Sequence, residues 1–225
     1  PTYRLPDIAY HREKIRRGFD VMIDILGSDH IATYPDVIAG LLALGEQKTD
    51  VDKIKVLIHQ FVTILQDGEV VKMSTRKANY ITLDELMDET GADVVRYFFL
   101  MRSIGSHLNF DLKLAKEQSD ENPVYYLQYA HARIASIIRF ANREQTTPDV
   151  TLLKEESEIL LMKILNDFPD VIENVAVTYE PHLLCEYLHK VAGTFHKFYH
   201  DHRVVTEDEQ STQARLALCK GAKIV

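Results

Sequence analysis

Residues 19–65 read FDVMIDILGSDHIATYPDVIAGLLALGEQKTDVDKIKVLIHQFVTIL. Two β-like runs flank a helix-length segment. Phe19 to Leu26 alternates loosely, is rich in β-branched and aromatic side chains, and stops at Gly27. Val56 to Leu65 has the same character and is expected to form the second strand, with Asp67-Gly68 as a turn signal before Glu69-Val70-Val71. Pro35 to Leu44 carries Val37, Ile38, Leu41, Leu42 and Leu44 at helical spacing, begins at Pro35-Asp36 and is stopped by Gly45. Strand, helix, strand with a crossover of this length predicts a parallel sheet of the doubly wound kind, which binds ligands at the C-terminal ends of its strands.

Further along, the chain changes character. Beyond about Gln118 the strand-like runs disappear. Val124 to Arg143, led by Asn122-Pro123, sets Leu127, Ala130, Ile134, Ile137, Ile138 and Ala141 at helical spacing. A polar, proline-containing break, EQTTPD at 144–149, separates it from further helical segments at Leu152 to Phe168, Pro181 to Arg203 and Thr212 to Val225. The expected organisation is α/β followed by all-α, with residues 1–118 in the first part and 119–225 in a helical bundle.

Composition bounds the rest. The 225 residues are 46% hydrophobic and 27% charged, the balance of a globular chain with a real core. No apolar run approaches the ~20 residues that span a bilayer, and no charged-then-apolar leader opens the sequence. Two cysteines, Cys185 and Cys219, show neither metal spacing nor a disulfide framework, which fits a reducing cytoplasm. A formal charge of −8 argues against a generally cationic surface, so any nucleic-acid contact must concentrate its cations locally.

One such concentration is Lys72-Met73-Ser74-Thr75-Arg76-Lys77, in a stretch free of acids between Glu69 and Asp84. It follows a predicted strand and precedes a helix, Leu83 to Thr90, that Thr82 and Glu85 are spaced to cap. Mobile cations and hydroxyls at an element junction suit a triphosphate, although charge alone favours a solvated loop. Gly27-Ser28-Asp29-His30 lies at a predicted strand end. There Gly27 permits close approach, Asp29 could accept from a ribose hydroxyl, and His30 could meet a nucleoside or amino acid. A plain turn is the alternative. His59-Gln60 could border a base, or His59 could sit satisfied in the core. In the helical half, Tyr125, Tyr126 and Tyr129 cluster near Arg133, and Phe195, Phe198 and Tyr199 near several histidines and Arg203. Rings at helical spacing fill bundle cores, and exposed ones stack unpaired bases. His196, His200 and His202 invite a metal reading, but no His-Glu-x-x-His pattern supports it and no metal site is assigned.

The longer text carries a family resemblance. KMSTRKANYITLDEL at 72–86, GADVVRYFFLMRS at 91–103 and SHLNFDLKLAKEQSDENPVYYLQYAHARI at 106–134 resemble arginyl-tRNA synthetases, and the likeness runs from PTYRLPDIAYH to QARLAL at 213–218. The resemblance implies the C-terminal part of a Rossmann-like class I synthetase catalytic domain joined to a helical anticodon-binding domain. Lys72 and Ser74 match the KMSKS signature, and Thr75 stands where that signature has its fourth lysine. Arg76 and Lys77 follow as the nearby cations.

By the same resemblance Gly27 and Asp29 match the strand-end motif that holds the ribose of ATP, and Tyr3 and Asp7 line the arginine pocket; His30, His59, Gln60 and Met73 are the further residues expected beside ATP. A carboxylate is the natural partner of a planar guanidinium, and a helix would place Tyr3 and Asp7, four apart, on one face. From spacing alone Asp7 after Pro6 is more often a helix cap. Tyr126, Tyr129, Arg133 and Tyr199 are the implied tRNA contacts. The implied reaction is ATP-dependent activation of arginine to arginyl-adenylate, then transfer to the tRNA for arginine. Magnesium accompanies ATP as substrate, with no tightly bound cofactor, in a cytoplasmic monomer. No His-x-Gly-His occurs, so the sequence reads as a C-terminal fragment, incomplete for catalysis alone. A non-catalytic tRNA-binding module is the alternative.

Overall fold

A computed structural model describes residues 3–71, 81–142 and 147–225. Strand β1 (Met22–Gly27) pairs in parallel with β2 (Ile54–His59), in a register that sets Met22 opposite Ile54 and Gly27 opposite His59. The connection runs through helix α2 (Tyr34–Ala43) and the single turn α3 (Lys48–Val51), so the expected strand–helix–strand unit is present. Helix α1 (Arg4–Arg16) precedes it and packs on α2. Their approach is close enough that a Cβ on Gly40 would lie 2.5 Å from the Ile8 side chain. Met22, Val37, Leu41, Val51 and Ile54 form the core beneath. The alternation of β1 sends Ile23 and Ile25 to the opposite, exposed face.

The run from Val56 to Leu65 is two strands, not the single one its composition predicts. β2 ends at His59, and β3 (Val62–Gln66) joins a separate three-stranded sheet in the order β4-β3-β5, with β4 at Glu69–Val70 and β5 at Leu108–Asp111. The reason is non-local. Gln60 N–H donates to Ile104 O (3.1 Å) and Phe61 O accepts from Leu108 N–H (3.4 Å), so residues 60–61 are engaged by a distant segment. Asp67 and Gly68 both take positive φ, as the hairpin turn requires.

Helices α4 (Leu83–Thr90) and α5 (Ala92–Leu100) follow, then α6 (Leu112–Lys116) after β5. The capping box at Thr82 is formed: Thr82 Oγ1 accepts from Glu85 N–H (3.1 Å) and Glu85 Oε2 from Thr82 N–H (2.7 Å). The long helix α7 (Pro123–Ala141) starts on Asn122, whose Oδ1 accepts from Val124 N–H (3.0 Å) while its amide donates to Glu117 O (2.8 Å). It ends on Asn142 in the left-handed region. Ala130, Ile134, Ile137 and Ala141 turn one stripe of α7 to a shared core with α8 (Glu156–Asn166), α10 (His182–Asp201) and α11 (Glu209–Ile224). Between α8 and α10 lies α9 (Phe168–Thr178), where the sequence reading placed no helix. Pro169, without an N–H, opens it, and Asp167 belongs to the end of one helix and the start of the next.

By compactness the chain forms two units, Pro1–Thr63 with Ile104–Asn109 and Ile64–Ser103 with Phe110–Val225. The second has a buried carboxylate in its frame. Glu158 accepts from Lys154 N–H (2.9 Å), Glu155 N–H (3.0 Å) and Arg215 Nε (2.8 Å), while Arg215 Nη1 donates to Arg203 O (2.8 Å). That last bond holds the backbone leaving α10. No described helix is long and apolar enough to cross a membrane.

Candidate functional site

In the first unit, the predicted ligand residues gather where the parallel strands end. Gly27 closes β1 and Ser28–His30 turn directly after it in a short 3-10 helix. A Cβ at Gly27 would lie 2.6 Å from Asp29 Oδ1, so glycine is what lets Asp29 fold back over the strand tip. Asp29 and His30 are exposed side by side, and Thr33 N–H donates to His30 O (2.9 Å) to fix the turn. His59 lies opposite Gly27 in the register, with its Nδ1 facing Gln60 O. Five predicted nucleotide-facing residues, Gly27, Asp29, His30, His59 and Gln60, thus meet at one end of the β1–β2 pair.

Tyr3 and Asp7 share the start of α1, Tyr3 fully exposed at its N-terminus. With His30, Thr33 and Tyr34 they line a cavity of about 460 Å³. Asp7 makes no helix cap there, so its carboxylate is not committed to α1's own N–H groups. Beneath lies a group that the sequence reading missed. His11 is 5% exposed; its Nε2 lies 2.6 Å from Asp24 Oδ2, its Nδ1 2.8 Å from Asp7 O and 3.1 Å from Asp7 Oδ1. Lys14 Nζ donates to Asp24 Oδ1 (2.5 Å). Burial disfavours the Asp24 carboxylate, but hydrogen bonds from His11 and Lys14 outweigh it and hold its pKa below the usual value. The available signal was the 7, 11, 14 spacing on one helix face and an aspartate at the inward phase of an apolar strand.

Lys72, Met73, Ser74, Arg76 and Lys77 lie outside the described residues. Their flanks are ordered by the Val71 N–H bond to Ile64 O (2.9 Å) and by the Thr82 cap.

In the second unit, Tyr129, Arg133 and Tyr199 come together although 70 positions separate the first from the last. Arg133 sits one turn after Tyr129 on α7, with its guanidinium carbon 5.1 Å from the ring centroid of Tyr129 and 5.1 Å from that of Tyr199 on α10. It also donates to the Tyr129 hydroxyl. The rings of Tyr125 and Tyr129 stack at 6.2 Å. This cluster rims a cleft of about 910 Å³ that runs on past Ser136 and Phe140 to His200, His202 and Arg203. Phe140, 79% exposed, is a second residue that the sequence reading missed; it lies seven positions after Arg133 on the same helix.

Tyr126 is placed differently. Its ring stacks on His189 at 5.6 Å and meets His196 edge-on at 5.1 Å, half-buried against the core. Burial raises its phenol pKa, with Asp120 adding to the shift. Burial also lowers the pKa of His189, and of His196, where Asp120 and Arg133 act in opposite senses. Neutral rings therefore back the cation of Arg133, which Tyr199 and Tyr129 hold in its charged form. Among the described residues, no group of three or more His, Cys, Asp or Glu side chains is placed to hold a metal ion.

Comparison with known proteins bears on both places. The DALR anticodon binding domain family matches residues 127–225, which include Tyr129, Arg133 and Tyr199. The arginine–tRNA ligase of Desulfotalea psychrophila is 51% identical over the whole chain and that of Salinibacter ruber 50%. The match covers 41% and 40% of those proteins, so the chain spans about two-fifths of the curated relatives' length. Among solved structures, one assigned to arginyl-tRNA synthetase from Campylobacter jejuni aligns with a TM-score of 0.83 at 29% identity, over 98% of this chain and 49% of that one. The arginyl-tRNA synthetase of Thermus thermophilus shares the fold, with a TM-score of 0.75 at 21% identity over 91% of this chain and 38% of that one.

Proposed function

The chain belongs to the arginyl-tRNA synthetase family, and from that premise we propose that it provides tRNA recognition and part of the arginine- and ATP-binding wall for arginine–tRNA ligation. The reaction joins the arginine carboxylate to ATP, releasing pyrophosphate and leaving arginyl-adenylate, then passes the arginyl group to the terminal ribose of its tRNA. Residues 1–118 serve the small molecules and 119–225 the anticodon arm. Lys72 and Ser74, with Arg76 and Lys77, steady the pyrophosphate, where charge develops as the bond to phosphorus breaks. Asp29 accepts from the ribose and Asp7 from the arginine guanidinium, with Tyr3 beside it. Magnesium enters with ATP. The enzyme works in the cytoplasm as a monomer.

The observation that carries this reading is the cation of Arg133 held between the rings of Tyr129 and Tyr199 at a cleft within the matched region. A guanidinium flanked by aromatic faces suits single-stranded RNA: the rings stack splayed bases and the cation meets the backbone. The acidic surface elsewhere keeps the contact local. The test is filter binding of the arginine tRNA and a non-cognate tRNA to the protein and to Arg133→Gln. The expected result is a preference for the arginine tRNA that Arg133→Gln weakens by about tenfold, with a smaller salt dependence. Equal binding of both tRNAs, unchanged by the substitution, would remove the assignment.

A further inference from the structure

The buried group below Asp7 links that residue to β1 through a chain of polar contacts. Nδ1 of His11 faces the backbone carbonyl of Asp7 at 2.8 Å and its carboxylate at 3.1 Å; both can only accept. Nε2 faces Asp24 Oδ2 at 2.6 Å. Asp24 is ionised, since Lys14 donates to its other oxygen at 2.5 Å and its pKa is held low. Each ring nitrogen thus faces an oxygen, so the buried imidazole is tied at both ends. Tyr10 edges the ring of His11, and Tyr34 of α2 shares the small cavity of about 240 Å³ beside it.

An imidazole tied at both ends fixes its neighbour. His11 grips Asp7 twice, through the backbone one helical turn earlier and through one carboxylate oxygen. Asp24, on β1 below, anchors His11 in turn. The half-exposed Asp7 carboxylate is left with its second oxygen open to the larger cavity that Tyr3 and His30 line. We propose that His11, anchored by Asp24, is the positioning residue that holds Asp7 in the orientation that receives the arginine guanidinium. The proposal rests on the reading of Asp7 as the arginine acceptor. His11 itself touches no substrate.

Two measurements test it. In the chain labelled with 13C-aspartate, the Asp7 side-chain carboxyl resonance should move in His11→Gln and in Asp24→Asn, which keeps the shape but not the charge. An Asp7 resonance that neither substitution moves would overturn the proposal. In a full-length arginine–tRNA ligase carrying this sequence, His11→Gln should raise the KM for arginine about tenfold and leave the KM for ATP within about twofold. Asp24→Asn should act in the same direction, and serves if His11→Gln fails to fold by circular dichroism. Asp7→Asn separates the two ideas. If it raises the arginine KM while folded His11→Gln and Asp24→Asn do not, the arginine reading stands and the role of His11 falls. If Asp7→Asn leaves that KM unchanged, Asp7 is outside the pocket and both fall.

Discussion

The two candidate sites of this chain handle charge in opposite ways. Around β1, charged groups are buried and matched one to one: His11 and Lys14 surround Asp24, with Asp7 above. Around α7 and α10, the cation of Arg133 stays near water and is bounded by rings rather than by carboxylates. A small charged ligand with fixed geometry needs the first arrangement, because a rigid partner at a set distance discriminates among cations. Unpaired bases need the second, because ring faces accept a base in several poses. Glu158 shows that the helical unit also buries charge, but there its bonds with Arg215 and with the Lys154 and Glu155 N–H groups ahead of α8 hold the frame of the cleft.

The sharpest way to break this contrast is to remove the buried carboxylate. Asp24→Ala should cost about 2–3 kcal/mol in urea unfolding, because it removes the carboxylate that the buried His11 and the partly buried Lys14 share. The pH dependence has a definite sign. The folded-state pKa of Asp24 lies below the unfolded one, so its contribution is present above the ordinary carboxylate range of about 4 and is lost as pH falls through the lower, folded value. Asp24→Ala should therefore flatten the acid limb of the stability curve. An unchanged acid limb would show that the cluster is not ionised as described.

A comparison of neighbouring tyrosines comes next. Tyr126→Ala should cost about 2 kcal/mol in stability, since it empties a stacked, half-buried position. Tyr129, 38% exposed, should cost under about 1 kcal/mol in stability when replaced by alanine, yet about 1–3 kcal/mol in affinity for the arginine anticodon stem-loop. Equal stability losses would erase the distinction between packing ring and contact ring. The smallest expected effect is that of Phe140→Ala, with stability within about 0.5 kcal/mol and affinity weakened by about 1 kcal/mol.

These contrasts also show what the chain reveals unaided. Helix α2 and the Thr82 capping box were legible because their signals are local: Pro35 and Gly45 bracket an apolar stripe, and Glu85 stands three residues after Thr82. The split of Val56 to Leu65 was not legible, because Ile104 and Leu108 decide it from 40 or more positions away. Nor was helix α9, where Pro169 suits a helical first turn as well as it suits the break that the sequence reading placed there. At the sites, the strand-end cluster followed from topology and the α7 tyrosines from composition. The different burial of Tyr126 and Tyr129 depends on where α10 puts His189 and His196, and the pairing of His11 with Asp24 joins a helix to a strand. Neither is written in a spacing. Lys72 to Lys77, the most informative stretch in the sequence, lie outside the described residues.

The most direct test follows the tyrosine ring resonances of the chain by NMR during titration with the anticodon stem-loop of arginine tRNA. Tyr187, buried with its hydroxyl bonded to Ile164 O, is the internal reference. The account predicts that Tyr129 and Tyr199 shift together along the binding curve while Tyr187 stays fixed. Saturable binding that leaves the Tyr129 and Tyr199 rings unmoved would contradict it.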